Sequence, residues 1–172
     1  MTGAWTTVLT VVFAATGLYG VWRLGTRRWQ GIETVVDLSH VLMSPAMLVM
    51  LWWPMAATGQ WVQIAVFAGL AGVFFYHLSG SETVPERAGA MAHAWMNLGM
   101  VWMLAAMPRL MSGDAWATML SWSAVGLLVI TAGWWLVHAA RTPGHRTVCG
   151  CHGLSCAGMA TMLALTTPSL VG

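Results

Sequence analysis

Residues 35–57 read Val35-Val-Asp-Leu-Ser-His40-Val-Leu-Met-Ser-Pro-Ala-Met-Leu-Val-Met-Leu-Trp-Trp-Pro-Met-Ala-Ala57. One carboxylate, Asp37, interrupts an otherwise apolar run. A helix needs about 20 such residues to cross the hydrocarbon core of a bilayer. The rest of the 172-residue chain has the same character: 58% hydrophobic, 7% charged, mean hydropathy +0.71. Soluble domains carry roughly a quarter charged residues, so this composition excludes an ordinary water-soluble fold.

Working outward from that run, spans are expected near Trp5–Leu24, Val35–Ala57, Trp61–Leu78, Ala88–Leu110, Trp116–Ala140 and Leu154–Val171. The expected fold is all-α, a six-transmembrane-helix bundle forming a single transmembrane domain over residues 1–172. Thr34-Val-Val-Asp37 and Thr83-Val-Pro-Glu86 both match the capping box, in which a hydroxyl and a carboxylate satisfy orphan amides at a helix start. Pro143-Gly144 breaks the chain after helix five. Trp5, Trp52, Trp53, Trp61 and Trp116 suit an interfacial aromatic belt.

Lysine is absent, so seven arginines carry the fixed positive charge. Arg23, Arg27, Arg28, Arg87, Arg141 and Arg146 fall on one side of the expected bundle and Arg109 on the other. The positive-inside rule makes the first side cytosolic. The expectation is a multi-pass protein of the cell membrane with both termini outside the cytoplasm. The MTGAW start lacks a signal peptide's basic region and cleavage site, so the first span is expected to be retained. No basic patch suited to nucleic acid is present.

An internal repeat carries the chemistry. Helix two reads His40-Val-Leu-Met-Ser-Pro-Ala-Met-Leu-Val-Met-Leu51; helix four reads His93-Ala-Trp-Met-Asn-Leu-Gly-Met-Val-Trp-Met-Leu104; helix six reads His152-Gly-Leu-Ser-Cys-Ala-Gly-Met-Ala-Thr-Met-Leu163. Counted from each histidine, offset +7 is Met47, Met100 and Met159, and offset +10 is Met50, Met103 and Met162. Offset +3 is Met43 and Met96, with Ser155 in the third copy. Offset +4 is polar (Ser44, Asn97, Cys156) and offset +6 is small (Ala46, Gly99, Gly158). The preceding helices agree more weakly: Gly17, Gly72 and Gly133 are followed five residues later by Trp22, His77 and His138. Three tandem helical hairpins, about 4–57, 61–110 and 116–171, account for this pattern.

Offsets 0, 3, 7 and 10 share one stripe of a helix. Around a pseudo-threefold axis the three copies would stack a histidine ring near the cytosol beneath methionine rings, the deepest about 15 Å further in at 1.5 Å per residue. Thioether sulfur is soft and neutral and favours Cu(I), and neutral donors suit a membrane interior where carboxylates are expensive. A ladder of weak sites lets an ion enter and leave. Cys149, Cys151, His152 and Cys156 would offer stronger thiolate and imidazole ligands at the cytosolic end, with His77 and His138 at the same level as further candidates.

The Met43/Met47 and Met96/Met100 spacing, M-x-x-x-M within a membrane helix, resembles the eukaryotic high-affinity copper-transporter family. That resemblance implies stacked methionine triads and a cytosolic Cys/His segment, for which Cys149–His152 would stand. It covers only these short motifs. Here three copies would be fused in one chain, Ser155 breaks one layer, and no Met-rich extracellular tail exists. The chain also looks like a family of uncharacterised actinobacterial integral membrane proteins with His/Met-rich helices, which implies a cell-membrane location.

The function expected is therefore a Cu(I)-binding membrane protein that transports or delivers copper, with the lipid bilayer and a larger membrane complex or a copper chaperone as expected partners. One alternative is a b-type haem electron-transfer protein, ligated from among His40, His77, His93 and His138. Another is a non-catalytic accessory subunit of a larger membrane complex. Methionine also fills irregular helix contacts, so the stripe has a packing explanation too. No nucleophile–base pair, phosphate loop or carboxylate dyad appears, and an enzyme is not expected.

Overall fold

The computed structural model describes residues 3–26, 31–53 and 57–168. They form six long α-helices: α1 (Gly3–Thr26), α2 (Gly31–Trp52), α3 (Ala57–Gly80), α4 (Val84–Met111), α5 (Ala115–Arg141) and α6 (Arg146–Thr166). A single 3₁₀ turn, Pro143–His145, joins α5 to α6. The protein is all-helical, and α1, α2, α3, α5 and α6 are each long and apolar enough to cross a membrane. It is a membrane protein. Arg27 and Arg28, and the expected end of helix six at Val171, lie outside the described residues.

α4 is the exception, and its composition explains why. It carries His93 and Asn97 mid-helix, yet both are buried, as are Ala90, Ala92, Ala94, Met96, Met100, Met103 and Leu104. A helix enclosed by protein does not need a lipid-compatible surface all round.

The helices start earlier than the expected spans, and at two of them the difference changes the reading of a residue. α2 begins at Gly31, whose φ of 58° turns the chain into the helix. Asp37 therefore lies nearly two turns inside α2 and is no capping residue. α6 begins at Arg146 rather than Leu154, so Cys149, Cys151 and His152 are helical and not part of a loop. The second capping box is formed: Thr83 N–H donates to Glu86 Oε2 (3.2 Å) and Glu86 N–H donates to Thr83 Oγ1 (3.4 Å). The Thr83 N–H, and after it the Thr83 hydroxyl, favour the ionised carboxylate and hold the exposed Glu86 below its usual pKa. At the end of α4, Gly113 (φ 77°) allows a Schellman closure, with Gly113 N–H on Leu110 O and Asp114 N–H on Arg109 O.

The chain divides into two compact units, Phe13–Leu104 and the combination of Met1–Val12 with Ala105–Gly172. In Phe13–Leu104, α1 and α2 pack antiparallel at close range. A Cβ on Gly17 would stand 2.7 Å from the Ser44 Cβ, and one on Gly20 would stand 2.9 Å from Val41 Cγ2. Small residues permit such backbone approach where no water drives helices together. α3 runs antiparallel to α4, tied at one end by Gln60 and at the other by Phe74 against His93. The Gln60 amide donates to Leu104 O, the carbonyl that Pro108, four residues on, cannot reach with an N–H.

In the other unit α5 and α6 form an antiparallel pair. A Cβ on Gly153 would meet Leu136 Cγ at 2.9 Å, Trp135 packs on His152, and Trp122 Nε1 donates to Pro168 O at 3.0 Å.

Candidate metal centre

Burial separates the repeat from the rest of the composition. Met43, Met47, Met96, Met100, Met103, Met159 and Met162 are all at most 2% exposed. Met91 and Met107, outside the repeat, are only half-buried, and Met111 and Met119 are exposed. Among repeat methionines Met50 alone is half-buried. The histidines divide the same way: His40, His93 and His152 are buried, His77 and His138 half-buried and His145 exposed.

In Phe13–Leu104 the structure brings two copies of the motif together. The His40 and His93 rings meet edge to face, centroids 5.6 Å apart and planes at 83°. This contact is reinforced one turn away, where Asn97 Nδ2 donates to Ser39 Oγ at 3.1 Å and Ser39 Oγ donates to Asn97 Oδ1 at 3.3 Å. Asn97 Nδ2 also donates to His93 O at 2.8 Å, so the amide at offset +4 turns back along its own helix. Phe74 of α3 stacks on His93 at 5.2 Å. Met43 and Met47 follow His40, and Met96, Met100 and Met103 follow His93, on the same helical stripes. The result is two imidazoles in contact and a set of buried thioethers, all uncharged donors of the kind Cu(I) accepts.

One charged pair lies beside them. Arg23 of α1 and Asp37 of α2 are buried and ion-paired, Nε to Oδ1 3.2 Å. Asp37 was expected in a capping box, which the structure corrects; Arg23, expected only as one of the arginines on one side of the bundle, proves to be its buried partner. The available signal was the general rule that an ionisable residue inside a span marks a functional site and has a partner.

In the other unit, the α6 copy has a different surround. His152 lies against Trp135, centroids 4.7 Å apart. Cys149, His152 and Cys156 follow at i, i+3 and i+7, so they share one face, and all three are buried. Cys151 is off that face and only half-buried, so the expected four-member cluster resolves into three residues in line and one apart. His138 stacks on the neighbouring Trp134 at 5.6 Å and keeps some exposure. The aromatic walls Phe74 and Trp135 were missed from sequence. Both fall two residues after the aligned glycines Gly72 and Gly133, a signal that was present in the register.

The glycines themselves are not equivalent. Gly17 is in close helix contact, whereas a Cβ on Gly72 or Gly133 would meet nothing within 4 Å.

Neither a curated protein nor a solved structure matches this chain. A family described as a domain of unknown function (DUF5134) matches residues 32–166, a stretch that takes in all three His/Met motifs and both donor sets. The chain belongs to that DUF5134 family.

Proposed function

We propose that this protein binds Cu(I) within the membrane and carries or hands on the ion through its His/Met stripes. The observation that carries this reading is the selective burial of the repeat: its histidines, and all its methionines but Met50, are withdrawn from the surface, while the other described methionines are half-buried or exposed. Packing alone favours buried methionine, but it does not call for a histidine pair in ring contact inside the same helices. Imidazole and thioether together suit a soft monovalent ion, and a series of individually weak thioether sites suits passage better than storage.

On this reading α4 crosses the bilayer as a sixth span, enclosed by its neighbours. The three hairpins are copies of one ancestral unit, and both termini face away from the cytoplasm. The α6 copy offers His152, Met159 and Met162 together with Cys149 and Cys156, a more strongly binding donor set. Direct contact between the His40 and His93 rings favours a bare ion over a macrocycle, which needs its own gap between axial ligands.

The test is metal analysis of the detergent-purified protein from copper-supplemented cells, with and without Met47→Leu/Met100→Leu/Met159→Leu. Near-stoichiometric copper in the parent and a clear loss in the triple variant are expected. Unchanged copper in the variant sinks the role of that methionine layer, and a Soret band in the parent would favour haem instead.

A further inference from the structure

Within Phe13–Leu104 the described residues include one buried carboxylate, Asp37, and it stands three residues before His40 on α2. Residues at i and i+3 are neighbours on a helix surface, with Cβ atoms about 5–6 Å apart. Asp37 is therefore within one turn of becoming a third ligand beside the His40–His93 pair. What occupies it is Arg23, reaching from α1 to place Nε 3.2 Å from Oδ1, with both side chains about nineteen-twentieths buried (5% and 6% exposed). The close seating of α1 on α2 at Gly17 and Gly20 brings Arg23 to that depth.

We infer that Arg23 sets the valence selectivity of the His40–His93 site by holding Asp37 out of it. This inference rests on the copper reading above and names the class of ion that reading admits. With Asp37 neutralised by Arg23, the donors left to an ion are uncharged imidazole and thioether. A monovalent ion then brings one net charge into a low-dielectric interior and a divalent ion brings two. The charging cost rises with the square of the charge, so the divalent ion costs about four times as much. An unpaired Asp37 would reverse this preference, because two imidazoles and a carboxylate form the donor set that Zn(II) and similar divalent ions take. Arg23 is thus a positioning residue. It touches no ion and acts by sequestering a ligand.

The experiment uses the full-length protein in detergent with two probes: Ag(I) as a redox-inert stand-in for Cu(I), and Co(II), whose visible ligand-field bands report a tetrahedral protein site. The parent is expected to bind Ag(I) tightly and Co(II) at most weakly. Arg23→Gln is expected to gain Co(II) bands with an affinity at least about tenfold above the parent's. That gain should vanish in Arg23→Gln/Asp37→Asn, and Arg23→Lys, which keeps the cation, should behave as the parent. Loss of packing alone does not create a tetrahedral Co(II) spectrum that depends on Asp37.

If Arg23→Gln binds Ag(I) as the parent does but gains no Co(II) site, the inference is overturned and the copper reading survives. If the parent binds no Ag(I), it is the copper reading that fails. Should Arg23→Gln not fold, Asp37→Asn serves alone. It leaves the arginine charge uncompensated beside the site, and Ag(I) affinity should fall by at least about tenfold. Unchanged Ag(I) affinity in that variant overturns the inference.

Discussion

The two donor sets start from the same register and end in different chemistry. In Phe13–Leu104, His40 and His93 come from two helices and touch each other, and a neutralised ion pair lies one turn away. On α6, His152 is flanked along its own helix by Cys149 and Cys156 and is walled by Trp135. The first set is all imidazole and thioether. The second contains thiols, which become strong anionic ligands once deprotonated. An aligned histidine therefore marks a position, while the residues one turn to either side decide what that position can hold.

The comparison is broken most directly at the histidines. His40→Ala/His93→Ala should abolish Ag(I) binding that depends on the first set, and Cys149→Ser/Cys156→Ser should leave it within about twofold if the sets are independent ligand groups. Isothermal titration of the two variants checks this. Equal loss in both would mean that the sets act as one site.

The next effect concerns stability. Gly17 and Gly72 are equivalent in the repeat but not in their surroundings. Gly17→Leu should cost about 1–3 kcal/mol by overpacking against Ser44, whereas Gly72→Leu should be close to neutral. Thermal unfolding in detergent distinguishes them, and equal destabilisation would show that the glycines serve a shared packing role.

Thiol reactivity gives a smaller and purely local contrast. Cys151 is half-buried while Cys149 and Cys156 are buried, so Cys151 should be alkylated first by a water-soluble maleimide. Mass spectrometry of the partly modified protein reads the order. Faster labelling of Cys156 would contradict the assignment of one buried face on α6.

The smallest effect is at Glu86, far from either set. Its pKa is lowered, first by the Thr83 backbone N–H and then by the Thr83 hydroxyl. A lowered folded-state pKa means that the stabilisation is present above the unfolded value and is lost as pH falls through the folded one. Glu86→Gln should therefore lower the melting temperature slightly at pH 7 and make no difference at low pH. A deficit of the same size at both pH values would show that the ionised cap contributes nothing.

Much of the architecture was legible because its causes are local. Apolar runs long enough to span a bilayer, Pro143-Gly144 and the Thr83–Glu86 box act over a few residues, and the helices lie close to where those signals put them. Helix starts were less legible. α6 begins eight residues earlier than expected because Cys149, Gly150 and Cys151 are weak helix signals that tertiary contacts override. Asp37 was misread for a related reason: a hydroxyl and a carboxylate three residues apart look the same in a cap and inside a helix.

The opening stretch, residues 35–57, shows the division most plainly. Its apolar length determined by itself that a helix would lie in a membrane, because bilayer thickness and helix rise are fixed quantities. The spacing of His40, Met43 and Met47 also determined that they share one face, since helical periodicity depends on nothing beyond the chain. Which residues that face would meet was decided only by tertiary structure. His93 and Asn97 come from a helix more than fifty residues away in sequence and Arg23 from the preceding helix, and the side-chain contacts between helices that bring them to His40, Ser39 and Asp37 have no signature in any local window.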